Sequence, residues 1–201
     1  QAPYRNNSSD DDFALQMALA RIRQLSAHEI GHTLGFAHNF AASTVNRSSL
    51  MDYPHPKFTL KDDKIDFSDA YDTKIGAWDK VIVAYSYQDF TDAENEAEQL
   101  NKILLDAYAS GLKYLSDSDA RSEGSASISA HLWDNGDNIQ DELNNLLKIR
   151  KTAIDHFSVD NIKTNEPYSV LEDVFVPLYF LHRFQTEAAV KIIGGLEYNY
   201  A

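Results

Sequence analysis

Apolar residues along the first part of the chain recur at helical rather than alternating spacing. Phe13, Leu15, Met17, Leu19, Ile22, Leu25, Ile30 and Leu34 fall on more than one side of a single helix, the pattern of a helix buried at a domain centre. Residues 1–10 are polar and read as irregular, and Asp10 to Asp12 stand where carboxylates cap a helix and meet its positive end. A loop over 40–50 and a turn-like Pro54-His55-Pro56 follow. The period then changes to two: Phe58-Thr59-Leu60 and Ile65-Asp66-Phe67 flank Lys61-Asp62-Asp63-Lys64, which predicts a small hairpin. Helical spacing returns at Ile75, Trp78, Val81, Ile82 and Tyr85, with Asp72 or Thr73 as the start. Thr91-x-x-Glu94 is a capping box opening a helix to about Ser110, with Gly111 as its stop. Ser116 to Gly136 reads as the longest loop. Asp137 or Asn138 caps a helix to about Phe157. A capping box at Ser169 to Glu172 opens an almost wholly apolar helix through Phe184, expected to be the buried centre of the C-terminal half and to kink or break at Pro177. Gly194-Gly195 ends the last helix, and Leu196 to Tyr200 alternates as a short terminal strand. The fold class is mainly α, with one or two short strand pairs.

Composition narrows the class. The 201 residues are 43% hydrophobic and 11% aromatic, enough for a packed core. The formal charge of -13 argues against nucleic acid and anionic membrane surfaces, and reads most simply as a solvated acidic surface. With no cysteine there are no disulfides, thiolate ligands or thiol nucleophiles. The longest apolar run, Val174 to Leu181, falls far short of the ~20 residues of a membrane-spanning helix. No signal peptide is visible at Gln1 to Arg5.

The chemistry gathers in His28-Glu29-Ile30-Gly31-His32-Thr33-Leu34-Gly35-Phe36-Ala37-His38. On a helix, His28 and His32 at i and i+4 lie on one face, where both imidazoles reach one ion. Gly35 can enter the left-handed region without a Cβ penalty, so the helix stops and the chain turns. That turn can bring His38 round as a third ligand. Three protein ligands leave a fourth position for water, the mark of a catalytic Zn²⁺ site. Glu29, one position round from His28, points beside the metal and can take a proton from the water. A bare H-E-x-x-H recurs by chance; the added Gly35 and His38 make the motif specific.

At these residues the sequence resembles the metzincin zinc metallopeptidases. Those enzymes carry a methionine turn beneath the zinc ligands, and Ser49-Leu50-Met51-Asp52-Tyr53-Pro54 is similar to it, though closer to the third histidine than usual. Tyr53 matches the tyrosine that astacin-like and serralysin-like members place near the metal, as a ligand or a donor to the tetrahedral intermediate. His38 to Ser43, Gly76-Ala77-Trp78-Asp79-Lys80 and His131-Leu132-Trp133-Asp134-Asn135-Gly136 narrow the resemblance to a family of large, generally exported bacterial metallopeptidases. The resemblance implies an extracellular or periplasmic location and a chain spanning the catalytic helix to the C-terminus of a longer protein. It also implies a mixed sheet ahead of the helix, whose edge strand holds the substrate; residues 1–10 are too few to build it.

Residues 1–57 are thus expected to hold the active-site helix, zinc site and Met-turn, with 58–201 a helical region packed against them. The expected function is hydrolysis of peptide or protein substrates, with His28, His32 and His38 on Zn²⁺, Glu29 as general base and Tyr53 beside the oxyanion. The alternative is a zinc-bearing fragment or scaffold with little or no turnover, joined to an upstream segment or to itself over the apolar face of Phe13, Met17 and Ile22. His55, His131, His156 and His182 read as ordinary loop or core histidines. Asp117, Asp119, Glu123, Asp134, Asp137 and Asn138 suit turns and caps better than a calcium site, since their spacing matches no EF-hand.

Overall fold

The computed structural model describes residues 10–90 and 95–200. The chain is mainly α. In order it forms α1 (Asp10–Thr33), the strands β1 (Thr59–Lys61) and β2 (Lys64–Asp66), then α2 (Ala77–Tyr87), α3 (Glu96–Ala109), α4 (Asp117–Ala120), α5 (Ile139–Asp155), α6 (Val170–Tyr179) and α7 (Arg183–Gly194). The strands pair antiparallel, with Leu60 opposite Ile65 and Lys61 opposite Lys64. Asp62 and Asp63 both take positive φ, 50° and 58°. A left-handed pair at the two central positions is the turn whose twist suits a hairpin, and aspartate tolerates that region better than most residues.

Several boundaries differ from the periodicity. α2 starts at Ala77 rather than at Asp72 or Thr73, because the side chain of Asp79 accepts the Gly76 N–H at 2.6 Å and closes the first turn there. Thr91 and Glu94 lie outside the described residues, as do the side chains of Asp10 to Asp12. Asn138 caps α5 as expected, its side chain accepting from Gln140 N and Asp141 N. The loop after Ser116 contains α4. In place of a terminal strand, Leu196 makes a single parallel bridge to Ser127.

The core does not lie under the most apolar helices. Its fully buried residues gather in the segment after α1, at Phe40, Ala41, Ala42 and Ser43, and again at Leu50 and Met51. One cluster joins Phe40 and Ala41 to Leu115, Ala120 and Ala130; another joins Trp78 to Ala107 and Leu112, with Tyr114 stacked on the indole at 5.3 Å. α1 is the opposite of the expected buried helix: Phe13, Leu15, Ile22 and Ile30 are each more than half exposed. α6 buries no residue completely, so it is not the centre of the C-terminal half. That place belongs to α5, which buries Leu146, Ile149 and Ala153 between α6, α7 and the hairpin. Helical spacing counts apolar positions; it does not count the neighbours available to cover them, and α5 is packed by two helices and both strands. Pro177 lies two residues before the end of α6, where a missing N–H and a ring clash stop a helix, and the chain turns into α7. No helix among the described residues is long and apolar enough to cross a membrane.

Candidate metal centre

The last turn of α1 aims His28 and His32 to one side and then reverses the chain. Gly35 has φ +88°. The Phe36 N–H bonds Gly31 O at 3.0 Å and the Gly35 N–H bonds His32 O at 3.0 Å, the paired closure of a helix by a left-handed glycine. Phe36 is then buried and His38 returns toward the helix. The Nε2 atom of His32 lies 3.1 Å from those of both His28 and His38. Two ligands of a tetrahedral zinc at about 2.0–2.1 Å stand roughly 3.3 Å apart, so the three nitrogens fit a single ion.

The other ring nitrogens decide the tautomers. His28 Nδ1 lies 2.7 Å from Leu50 O, His32 Nδ1 2.9 Å from Phe36 O, and His38 Nδ1 2.8 Å from Asp117 Oδ2. A carbonyl or carboxylate only accepts, so each Nδ1 carries the hydrogen and each Nε2 is left with a lone pair. The Nε2 contacts are therefore not hydrogen bonds but three donors aimed at one point. Burial, opposed by the Leu50 bond and helped by the neighbouring His32 and His38, holds His28 below the usual imidazole pKa and favours its neutral form. Among the described residues this is the one group of three His, Asp or Glu side chains close enough for one metal ion. His55 bonds Pro56 O instead.

The turn at Met51 is built from below. Asp79, at the start of α2, accepts from Ser49 Oγ at 2.6 Å, from the Leu50 N–H at 2.9 Å and from the Gly76 N–H at 2.6 Å. Ser49 Oγ in turn accepts the Met51 N–H at 3.0 Å. Leu50 O, fixed by this clamp, is the acceptor for His28. Met51 lies against α1 at Gly31, where a Cβ would overlap its sulfur. Asn39, next to His38, ties the same turn to a distant segment. Its N–H bonds Met51 O, its side-chain nitrogen bonds Lys113 O, and its Oδ1 accepts the Leu115 N–H.

Tyr53 sits against the centre. Its ring is 4.5 Å from that of His28 and 5.0 Å from that of His38. Trp133 packs on Tyr53 at 5.4 Å and donates its backbone N–H to Tyr53 O. Trp133 has φ +63°, a strained backbone for so bulky a residue, and its neighbours Asp134 and Asn135 are buried. Glu29 is exposed, and its charge is felt at His28. The acidic residues of 117–138 do not gather round a point. Asp117 faces His38, Asp119 accepts from Tyr198 and Tyr200, Asp134 accepts from Ser43 Oγ, and Asp137 accepts the Asn46 N–H. For Asp117, burial pushes the carboxyl up, but hydrogen bonds from His38 and Arg121 and the Arg121 charge hold it below the usual range.

Gly31, Asp79, Asp117 and Trp133 were not singled out by spacing. Only Gly31 had a local signal, a glycine inside a helix, which costs about 1 kcal/mol relative to alanine and calls for a packing reason.

A helix and a reversed loop present three imidazoles over a methionine turn, a group that could hold one metal ion. A family model described as Met-zincin matches residues 10–201, and the chain belongs to that family. Neither a curated protein nor a solved structure matches it.

Two predictions follow from this geometry. Asp79→Ala strands the Leu50 and Gly76 N–H groups, and destabilisation of about 3 kcal/mol or more is expected by urea unfolding of the metal-free chain. The second concerns Asp134, which burial raises to about 7, and Asp52, raised by burial and by Asp134. A carboxyl whose folded pKa is raised binds more protons folded than unfolded. Its contribution is present at low pH and lost as pH rises from about 4 to about 7, by at most about 1.4 kcal/mol per pH unit. The stability difference between the parent and Asp134→Asn, measured in chelator, therefore shifts in favour of the variant across that window; a pH-independent difference contradicts the assignment.

Proposed function

We propose that the chain is a zinc-dependent endopeptidase. The observation that carries this reading is the set of three Nε2 atoms of His28, His32 and His38, freed for a metal by three separate Nδ1 acceptors. Imidazole donors in a three-ligand set suit zinc, and zinc held there polarises a carbonyl and lowers the pKa of a bound water toward about 7. Glu29 adjoins His28 on the exposed side of α1 and is not one of the converging donors. It takes the proton from the attacking water and delivers it to the leaving amine. Tyr53, whose ring is held between the histidines and Trp133, donates its hydroxyl to the oxyanion. Peptide or protein is the substrate.

A second reading is a zinc-bearing module with little turnover in this form. It is favoured by the exposed apolar side of α1 at Phe13, Leu15 and Ile22, and by the absence of any strand paired beside α1 among the described residues. Extended substrate needs such an edge, and positioning supplies roughly 7–11 kcal/mol of barrier reduction.

One experiment separates these readings. The parent and Glu29→Ala are compared for zinc content by elemental analysis and for hydrolysis of a quenched peptide, with and without chelator. Peptidase action predicts about one zinc in each protein, chelator-sensitive hydrolysis by the parent, and none by the variant. Zinc without hydrolysis in the parent favours the module; loss of zinc from the variant removes Glu29 from its role. Tyr53→Phe is expected to lower kcat about 100-fold with zinc content unchanged; an unchanged kcat takes the hydroxyl out of the reaction.

A further inference from the structure

His38 is the ligand that α1 does not hold. It lies beyond the helix end, on a loop, and its ring orientation rests on Asp117, 79 residues away in sequence. Asp117 is itself held from two sides. Arg121, one turn on, approaches Oδ1 at 3.4 Å, while Oδ2 faces His38 at 2.8 Å. The next acid, Asp119, two residues on, is gripped by a distant segment: Tyr198 and Tyr200 donate to its Oδ1 at 2.7 and 2.9 Å. Residues i and i+2 of extended chain face the same way, so two tyrosines can reach one carboxylate. The terminal segment is fastened alongside. Leu196 N bonds Ala126 O, Ile128 N bonds Leu196 O, Asn199 Oδ1 accepts the Tyr114 N–H, and Glu197 lies 3.5 Å from Lys113.

We propose that Asp117 is the positioning residue for the third metal ligand, and that the tyrosine pair Tyr198 and Tyr200 sets metal affinity by holding α4, which carries it. This rests on His28, His32 and His38 binding zinc. A carboxylate behind a ligating imidazole fixes its tautomer and orientation and makes it a better donor. For His28 and His32 that work is done by backbone carbonyls of the helix end and the Met51 turn; His38 alone relies on a side chain. The C-terminal segment thus acts on the metal through Asp119, α4, Asp117 and His38 in turn, without touching the site.

The test uses the 201-residue chain and two readouts besides turnover: the zinc dissociation constant, by competition with a chromophoric chelator, and the visible spectrum of the cobalt(II)-substituted protein. His38→Ala is the control for the metal reading, and thermal unfolding in chelator checks the fold of each variant. Asp117→Ala is expected to weaken zinc about 10–100-fold and to shift the cobalt bands. Asp117→Asn, which keeps an acceptor and the local fold, recovers part of that affinity. Tyr198→Phe with Tyr200→Phe weakens zinc in the parent and adds nothing in the Asp117→Ala background. If the parent binds zinc, His38→Ala loses it and Asp117→Ala binds as the parent does, the proposal falls while the metal reading stands. Equal losses from the tyrosine pair in both backgrounds overturn the route through Asp117. A parent that does not bind zinc overturns the metal reading itself.

Discussion

Three imidazole nitrogens within 4.8 Å of one another, each offering a lone pair to the same point, repel one another unless every ring is locked from behind. The structure supplies the three locks from three places. Phe36 O comes from the glycine reversal that ends α1, Leu50 O from the turn over Met51, and Asp117 from a helix 79 residues further on. Each lock needs its own support. Asp79 holds the Met51 turn through three donors, Gly31 lets that turn approach α1, and Asn39 bonds both the turn and the segment before Asp117. Much of the buried polar structure among the described residues is accounted for by this chain of dependence.

The acidity takes on a second meaning in this light. A charge of -13 reads as a solvated surface, and many of the acids are exposed. Asp52, Asp79, Asp119 and Asp134 are instead buried around the site, accepting bonds from backbone N–H and hydroxyl groups. Asp134 lies close enough to raise the proton affinity of Asp52, and Ser43 contacts both. Carboxylates serve there as acceptors that fix loops, where regular secondary structure is sparse.

The parts legible in the sequence were those whose cause is local. H-E-x-x-H works by a helix repeat, Gly35 by backbone sterics, the hairpin by alternation around a polar tetrad, and the Asn138 cap by a bond two or three residues on. Asp79 and Asp117 were not legible, because their partners lie 30 and 79 residues away and no spacing rule links them. Tyr198 and Tyr200 did alternate as read, yet they serve a carboxylate rather than a strand partner. α1 and α6 failed for another reason. Their apolar composition is real, but burial is decided by which elements pack against them.

The three histidines sit four and six residues apart, whereas the support for the last of them is 79 residues distant. A ribosome delivers the chain from its N-terminus at about 5–20 residues per second. His38 thus emerges roughly 4–16 seconds before Asp117, and all three histidines are in solution while α4 and the terminal tyrosines are still unmade. Loop closure over so short a segment costs little. On the proposed reading, the three histidines would be able to meet an ion before Asp117 has been made, and the carboxylate that orients His38 would join them only later in synthesis.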